Sequence, residues 1–515
     1  MNSKTWTRIA ALTLFAALAL PVRLTAQETA NPNHAHQHHH YQLVDIGTFG
    51  GPDSSYAEPP PSPGGRLLNS SGTAVGSGDT PTADPYCVSF NFDCYVGYGF
   101  KWQDGVANAL SPLSGFNGLN SATALWVSDS GLAAGLSENG LDPLTGGPAT
   151  EAVLWGTDNS LTDLGTLGGN QSFAWSVNNR GQVAGAALNT IPDSNAGFFF
   201  LPGATQVHAF RWTKSHGMQD LGTLGGTDSA AFSINERGQI AGMSFTNTIP
   251  NPVWDICGGF AVNVPTEDPF LWENGKMIDL GTLGGTCGQA MALNNRDHVI
   301  GISNLAGDSI WHAFLWRNQS EGMKDLGSLG GDSGTAFSIN DADDVVGIDT
   351  TADNLERAFL WRHGVMTNLG TIGTDPGSEA YSINSQGQVV GDTRDPSTDT
   401  FLRAFLWEDG GPMVDLNNLV PPNSGVQLVK GLYVNERGEI AVRGVLSNGD
   451  LHSVLLIPCD ENHPGVEGCD YSLVDAATAS TQSAARPSLS STTQNLAHSR
   501  WSNRYHMRGL PLASK

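Results

Sequence analysis

A unit of about 45 residues recurs along this chain, and a chain that repeats itself must fold as a series of like modules, each in contact mainly with its neighbours, rather than around one central core. The clearest copy runs from His312 to Asn340: His-Ala-Phe-Leu-Trp-Arg-Asn-Gln-Ser-Glu-Gly-Met-Lys-Asp-Leu-Gly-Ser-Leu-Gly-Gly, then Asp-Ser-Gly-Thr-Ala-Phe-Ser-Ile-Asn, completed by Val345-Val346-Gly347. Its four short apolar runs are bounded by Gly, Asn or Asp, which is the pattern of β-strands and not of helices.

Three landmarks recur in fixed order. Asp-Leu-Gly-Thr-Leu-Gly-Gly or an eroded form of it begins at residues 45, 109, 163, 220, 279, 325, 368 and 415. Ser-Ile-Asn-x-x-Gly-Gln-Val-Val-Gly or its variants close at Gly76, Gly135, Gly185, Gly242, Gly301, Gly347, Gly391 and Val442. Ala-Phe-Leu-Trp ends at Trp102, Trp155, Trp212, Trp272, Trp316, Trp361 and Trp407, with a Trp-less copy at 453–457. A period of 40–50 residues with four short strands per unit is the spacing of β-propeller blades. The predicted fold is therefore all-β, an eight-bladed propeller of four-stranded blades over residues 41–458. The N-terminal strand at 43–47 closes it as the outermost strand of the last blade, beside 453–457; seven blades or an open β-repeat array are the alternatives.

Turn chemistry agrees with this reading. Asp104-Gly105, Asn274-Gly275 and Asp409-Gly410 supply the positive φ that a tight hairpin needs. In the other hairpin the left-handed position is Gly238 or its equivalents, and the two copies without Gly carry Asp297 and Asp343, a residue type that tolerates that region. Insertions fall between the second and third strands, at 77–96, 136–150, 187–207 and 244–267, and are expected to gather as loops on one face.

Residues 1–26 combine Lys4 and Arg8 with the apolar run 9–20 and end Leu24-Thr25-Ala26, as in a secretory signal; the run is too short for a transmembrane segment. The whole chain has 25 basic and 50 acidic residues. Without Lys4, Arg8 and Arg23 the balance is 22 against 50, or −28, which argues against nucleic acid and anionic membrane as partners. Six cysteines in an exported chain read as disulfides, assigned as Cys87–Cys94, Cys257–Cys287 and Cys459–Cys469. The expected location is secreted, periplasmic or cell-surface, and the protein is expected to be a monomer.

Residues 27–40 form a linker with His34, His36, His38, His39 and His40, a set able to bind Ni, Zn or Cu if the segment can wrap an ion, and otherwise a solvated tract. No other cofactor is expected. Asn340-Asp341-Ala342-Asp343-Asp344 is similar to the calcium turns of integrin-like propellers, but other copies lack those carboxylates, which leaves at most a single calcium site. Gly331-Asp332-Ser333-Gly334 is similar to the nucleophile segment of trypsin-like proteases, yet it occupies an ordinary repeat slot with no His/Asp set in the required order. The seven repeat tryptophans fit either sugar platforms or packing between blades, and their constant strand position favours packing; Trp126 and Trp175 break the pattern. Residues 459–515 are expected to be a largely disordered tail.

His-Ala-Phe at 208–210 and 312–314, with the flanking Leu-Trp and Asp-Leu-Gly-Thr-Leu-Gly-Gly, resembles the HAF extracellular repeat family of bacterial exported proteins over about residues 41–458. The resemblance implies an exported repeat protein and brings no catalytic residue. Arg357, Arg403 and Asp268-Pro269 depart from the His-Ala pattern. Function is accordingly expected to be non-enzymatic binding of a protein, glycan or envelope component through the loops of one face. An extracellular polymer hydrolase or lyase with its site at the propeller mouth is the alternative.

Overall fold

A computed structural model describes residues 37–56, 65–85, 94–115, 118–141, 148–193, 205–251, 264–398, 400–408 and 410–475. The described residues form no α-helix, and the repeats pair as four-stranded antiparallel units, in chain order in all but the last. The third sheet is typical: Ser172–Val177, Val183–Pro192, Thr205–Thr213 and Gly217–Asp220. Its first strand is buried throughout and its fourth is largely exposed, so apolar character is continuous inside and lost outside. Sheets four, five and six (229–279, 284–325, 330–368) are joined at their rims by parallel bridges Glu267–Cys287 and Trp311–Ser333. The succession of packed four-stranded sheets is propeller-like.

The last sheet draws on both ends of the chain. Val426–Val434, Ile440–Leu446 and Leu451–Pro458 supply three strands, and Tyr41–Asp45 supplies the fourth, pairing Tyr41 with Pro458 through to Asp45 with Val454. Leu432, Ala441 and Leu455 of this sheet share one apolar cluster with Tyr56, Leu67, Leu68 and Phe100 of the first.

The repeated motifs have local causes. In Asp-Leu-Gly-Thr-Leu-Gly-Gly the Asp side chain accepts the N–H of the Gly two residues on, as Asp220 does from Gly222 (2.7 Å), while the Thr hydroxyl donates to the Gly carbonyl three residues on, as Thr223 does to Gly226 (2.9 Å). The predicted left-handed positions are found, with φ of 84° at Gly238, 72° at Asp297 and 67° at Asp343. The Gly of the second strand faces the Phe of the third: a Cβ on Gly391 would stand 1.9 Å from the Glu379 carbonyl and 2.7 Å from the Phe405 ring. In the last sheet both change together, to Val442 opposite Val454.

Two sets of side chains tie successive sheets. A Ser opening the first strand accepts an N–H from the third strand of the preceding sheet, as Ser229 does from Ala209 (2.9 Å) and Ser378 from Ala358 (3.0 Å). At the opposite end, the Asn of Ser-Ile-Asn closes its own hairpin with Oδ1 and sends Nδ2 to the carbonyl of the equivalent residue in the next sheet. Asn178 reaches Asn235, Asn235 reaches Asn294, Asn294 reaches Asn340, Asn340 reaches Asn384 and Asn384 reaches Asn435, at 3.0–3.2 Å. Asn435 then reaches Asn69 at 2.9 Å and Asn69 reaches Ser128 at 3.0 Å, so the series returns from the last sheet to the first. Ser128, standing where the others have Asn, interrupts it.

One expectation changes and one is narrowed. Gln37–His39 is a strand, paired with Leu473–Asp475, and not part of a solvated linker. Within 459–515, residues 459–475 are fastened by the Cys459–Cys469 disulfide and the strand at 473–475; residues 476–515, where most of the expected disorder falls, lie outside the described residues.

Candidate functional site

The insertions leave the body between second and third strands, and the strands themselves run on into them: Ala133–Leu141 returns as Pro148–Trp155, and Val183–Pro192 as Thr205–Thr213. Sheets two, three and four each expose a large aliphatic side chain on these stems, Leu141 at 47%, Ile191 at 51% and Ile249 at 73% relative exposure. Beyond them, 142–147, 194–204 and 252–263 lie outside the described residues; their sequences include Phe198-Phe199-Phe200-Leu201 and Val253-Trp254. Sequence reading located these insertions but overlooked their apolar content.

Near the same end of the third and fourth strands lies a cross-strand slot between the His of His-Ala-Phe and the Asp of Asp-Leu-Gly. His208 Nδ1 meets Asp220 at 2.8 Å, His312 meets Asp325 at 2.9 Å, and His452 meets Asp45 at 2.8 Å. Sheets two and four place two acids there instead. Burial and the facing carboxylate push Glu151 up to about 7 beside Asp163, and Asp268 up to about 7 beside Asp279. Hairpin register could have paired this His with this Asp from sequence alone.

A third feature went unseen in the sequence. Between sheets six, seven and eight, charged residues stand at slots that hold Ile, Leu or Met elsewhere: Asp392 and Arg443 take the position of Met243 and Ile302. Arg394 bridges Glu356 (2.8 Å) and Glu379 (2.6 Å), Tyr381 donates to Glu379, and Lys430 Nζ lies 4.0 Å from Asp392 and 4.2 Å from the Tyr381 ring centroid. An additional register shift at Leu428/Lys430 aims Lys430 into the group. Burial pushes the Asp392 carboxyl up to about 7. The signal was the appearance of Asp392 and Arg443 in a slot held by Leu136, Ala186, Met243, Ile302 and Ile348 in other sheets.

The other sequence candidates fall as follows. All seven repeat tryptophans are buried in strands, so their faces are committed to packing. Trp175 is buried too, stacked on Phe173 and edge-on to Phe232, while Trp126 is half-buried. Ser333 Oγ lies 3.2 Å from Thr350 Oγ1 while His312 is bound to Asp325, so no Ser–His couple forms. Asp343 pairs with His298 (2.6 Å) and Arg317 (3.0 Å), and Asp344 with Arg362 (2.8 Å), so the carboxylates of the calcium-like turn are taken up by His and Arg side chains. His38 is buried with Nδ1 2.7 Å from Glu408, while His39 points to the other face of the same strand and His40 lies 3.6 Å from Asp470. The three described imidazoles, His38, His39 and His40, therefore do not converge; His34 and His36 lie outside the described residues. Among the described residues no group of three or more His, Cys, Asp or Glu is placed to hold an ion. Cys459–Cys469 forms as expected; Cys94 and Cys287 are also disulfide-bonded, and their expected partners Cys87 and Cys257 lie outside the described residues. Among the described residues no helix is long and apolar enough to cross a membrane.

No protein-family model and no curated protein matches this chain. Among solved structures it is similar to an acylaminoacyl peptidase of Pyrococcus horikoshii at 11% identity and a TM-score of 0.34, over 67% of this chain and 51% of that one. TolB of Acinetobacter baumannii aligns at 10% identity and 0.31, over 67% and 78%. Dipeptidyl peptidase 4 of Porphyromonas gingivalis aligns at 10% and 0.32, over 76% and 50%. The alignment thus spans about half the length of either peptidase, and likeness at this level carries no activity or substrate to this chain.

Proposed function

We propose that this chain is an exported protein of the HAF repeat type, an eight-bladed β-propeller closed by its N-terminal strand, that binds a protein, glycan or envelope component through its insertion face. Closure is supported by Tyr41–Asp45 completing the last sheet and by the Asn435–Asn69 bond. Export is supported by the apolar run at 9–20 and by the disulfide in the C-terminal segment.

The observation that carries the binding reading is the exposure of Leu141, Ile191 and Ile249 where the insertions of three successive sheets begin, because large aliphatic side chains left in water on one side of neighbouring modules mark a surface that a partner covers. The enzymatic alternative would draw on the charged group around Asp392. A general acid or base must come within about 3 Å of its substrate, and Asp392 is 0% exposed with Lys430, Arg443 and Glu379 buried around it. That group is therefore an internal ion network, and binding is the better reading.

The test is a glycan array and a pulldown from envelope extract with residues 27–515, followed by the triple variant L141D/I191D/I249D. Loss of the captured ligand with an unchanged melting temperature is expected. Retention of the ligand at full affinity would place the binding surface elsewhere.

A further inference from the structure

The junction where the two ends of the chain meet differs chemically from the rest of the molecule. Between and within the other sheets, many of the ionic ties use guanidinium groups: Arg66–Asp129, Arg237–Asp297, Arg317–Asp343, Arg362–Asp344 and Arg394–Glu356. An arginine keeps its charge at any pH a protein meets. At the junction several of the ionic ties use imidazoles instead. His452 of the strand Leu451–Pro458 lies 2.8 Å from Asp45 of the strand Tyr41–Asp45, across 407 residues of sequence. His463 of the C-terminal segment sits between Asp460 (2.7 Å) and Glu439 (3.3 Å). His38 meets Glu408 at 2.7 Å and His40 meets Asp470 at 3.6 Å. Three further His–carboxylate pairs among the described residues, at His208, His298 and His312, lie within sheets three to six and join no chain end.

The groups facing these imidazoles are acidic. Asp53 and Asp450 add to Asp45 around His452. Around His463 the acids are Asp460 and Glu439, and Arg437 shares Glu439 at 3.6 Å. Glu408 also accepts a bond from Gln388. Burial works against a charged imidazole at His452 and at His463, yet the bonds and fields of these carboxylates outweigh it and lift both above the ordinary histidine value. Burial also opposes ionisation of Asp45, but its bond to His452 holds it below the ordinary carboxylate value, so the imidazole is the partner that changes charge near neutrality.

We propose that the junction is a proton-operated clasp: protonated His452 holds Gln37–Asp45 to Leu451–Pro458, protonated His463 holds the C-terminal segment to Glu439 of the body, and loss of those protons loosens these two segments while the arginine-tied sheets stay packed. The sign follows from linkage. A histidine raised in the folded state contributes its stabilisation fully below the unfolded value of about 6.5, and loses it as pH rises through the folded value. The Cys459–Cys469 bond keeps the loosened C-terminal segment in one loop. The proposal concerns the junction and is independent of the ligand face.

Hydrogen–deuterium exchange of the full chain at pH 5.5 and 8.5, corrected for the intrinsic exchange rate, tests it. Protection of peptides covering 37–45 and 451–475 is expected to fall by about tenfold per unit of histidine shift, relative to peptides covering 172–185, whose sheet contains none of the buried carboxyls that titrate in this range. In H452Q/H463Q the junction should be equally unprotected at both pH values, whereas H312Q, which removes the same pair inside sheet five, should leave the junction's response intact. Junction protection that follows the sheets at both pH values in the wild type overturns the proposal even if the double variant does not fold. A pH response retained in H452Q/H463Q overturns it equally.

Discussion

The side chain that does most to order this molecule is the Asn of the Ser-Ile-Asn hairpin. Asn384 accepts the N–H groups of Gln386 (3.1 Å) and Gln388 (3.0 Å) with Oδ1, and donates to the Asn435 carbonyl with Nδ2. Truncation to Ala leaves all three backbone groups without that partner in a largely buried setting. N384A should therefore lower unfolding stability by about 2–3 kcal/mol, more than the ~1 kcal/mol of a single average hydrogen bond, and a urea titration reads this directly. The converse change is S128N, which supplies the missing member of the series. It should raise stability by about 1 kcal/mol, and a lower urea midpoint in S128N would mean that the series is not additive around the molecule.

Among elements, the strand Tyr41–Asp45 has an importance out of proportion to its five residues. It covers the otherwise open edge of Leu451–Pro458, and its neighbour Ile46 packs in the cluster shared by the last and first sheets. An uncovered edge of that length is a template for aggregation. Deletion of 27–51 should lower the melting temperature and promote aggregation measured by light scattering. Deletion of 476–515 should do neither. The boundary for the harmless deletion lies at 476, since Leu473–Asp475 pairs with Gln37–His39. Similar, negligible effects of the two deletions would show that the array does not depend on closure.

For the molecule as a whole, the buried carboxyls set the response to pH. Burial pushes Glu138, Asp349 and Asp392 up to about 7, burial with a facing acid does the same for Glu151 and Asp268, and Asp228 rises to about 6. The unfolded chain releases these protons near pH 4, whereas the folded chain holds them until pH 6–7. Across that window the folded state binds more protons, so stability falls as pH rises. Melting temperature by calorimetry should be higher at pH 5 than at pH 8. D392N, which keeps the shape and cannot ionise, should narrow the gap. A melting temperature that rises from pH 5 to pH 8 would contradict this account.

Sequence by itself determined the modules. Strand count, order and hairpin turns follow from local rules, since the φ > 0 requirement at Gly238, Asp297 and Asp343 and the alternation of short apolar runs act within a few residues. The pairing of the first strand with the last followed from counting, because a strand left over at one end and missing at the other can satisfy both edges only by meeting. Tertiary structure decided what lies between modules. That Asn178 binds the carbonyl of Asn235, or that Arg394 pairs with Glu356 and Glu379 while Lys430 approaches Asp392, depends on how neighbouring sheets are set side by side, and no spacing along the chain encodes that. The histidines show both sides of this division: their number at 34–40 suggested a flexible metal-binding tract, but once Gln37–His39 pairs as a strand, alternation sends His38 inward to Glu408 and His39 outward, and the set is divided.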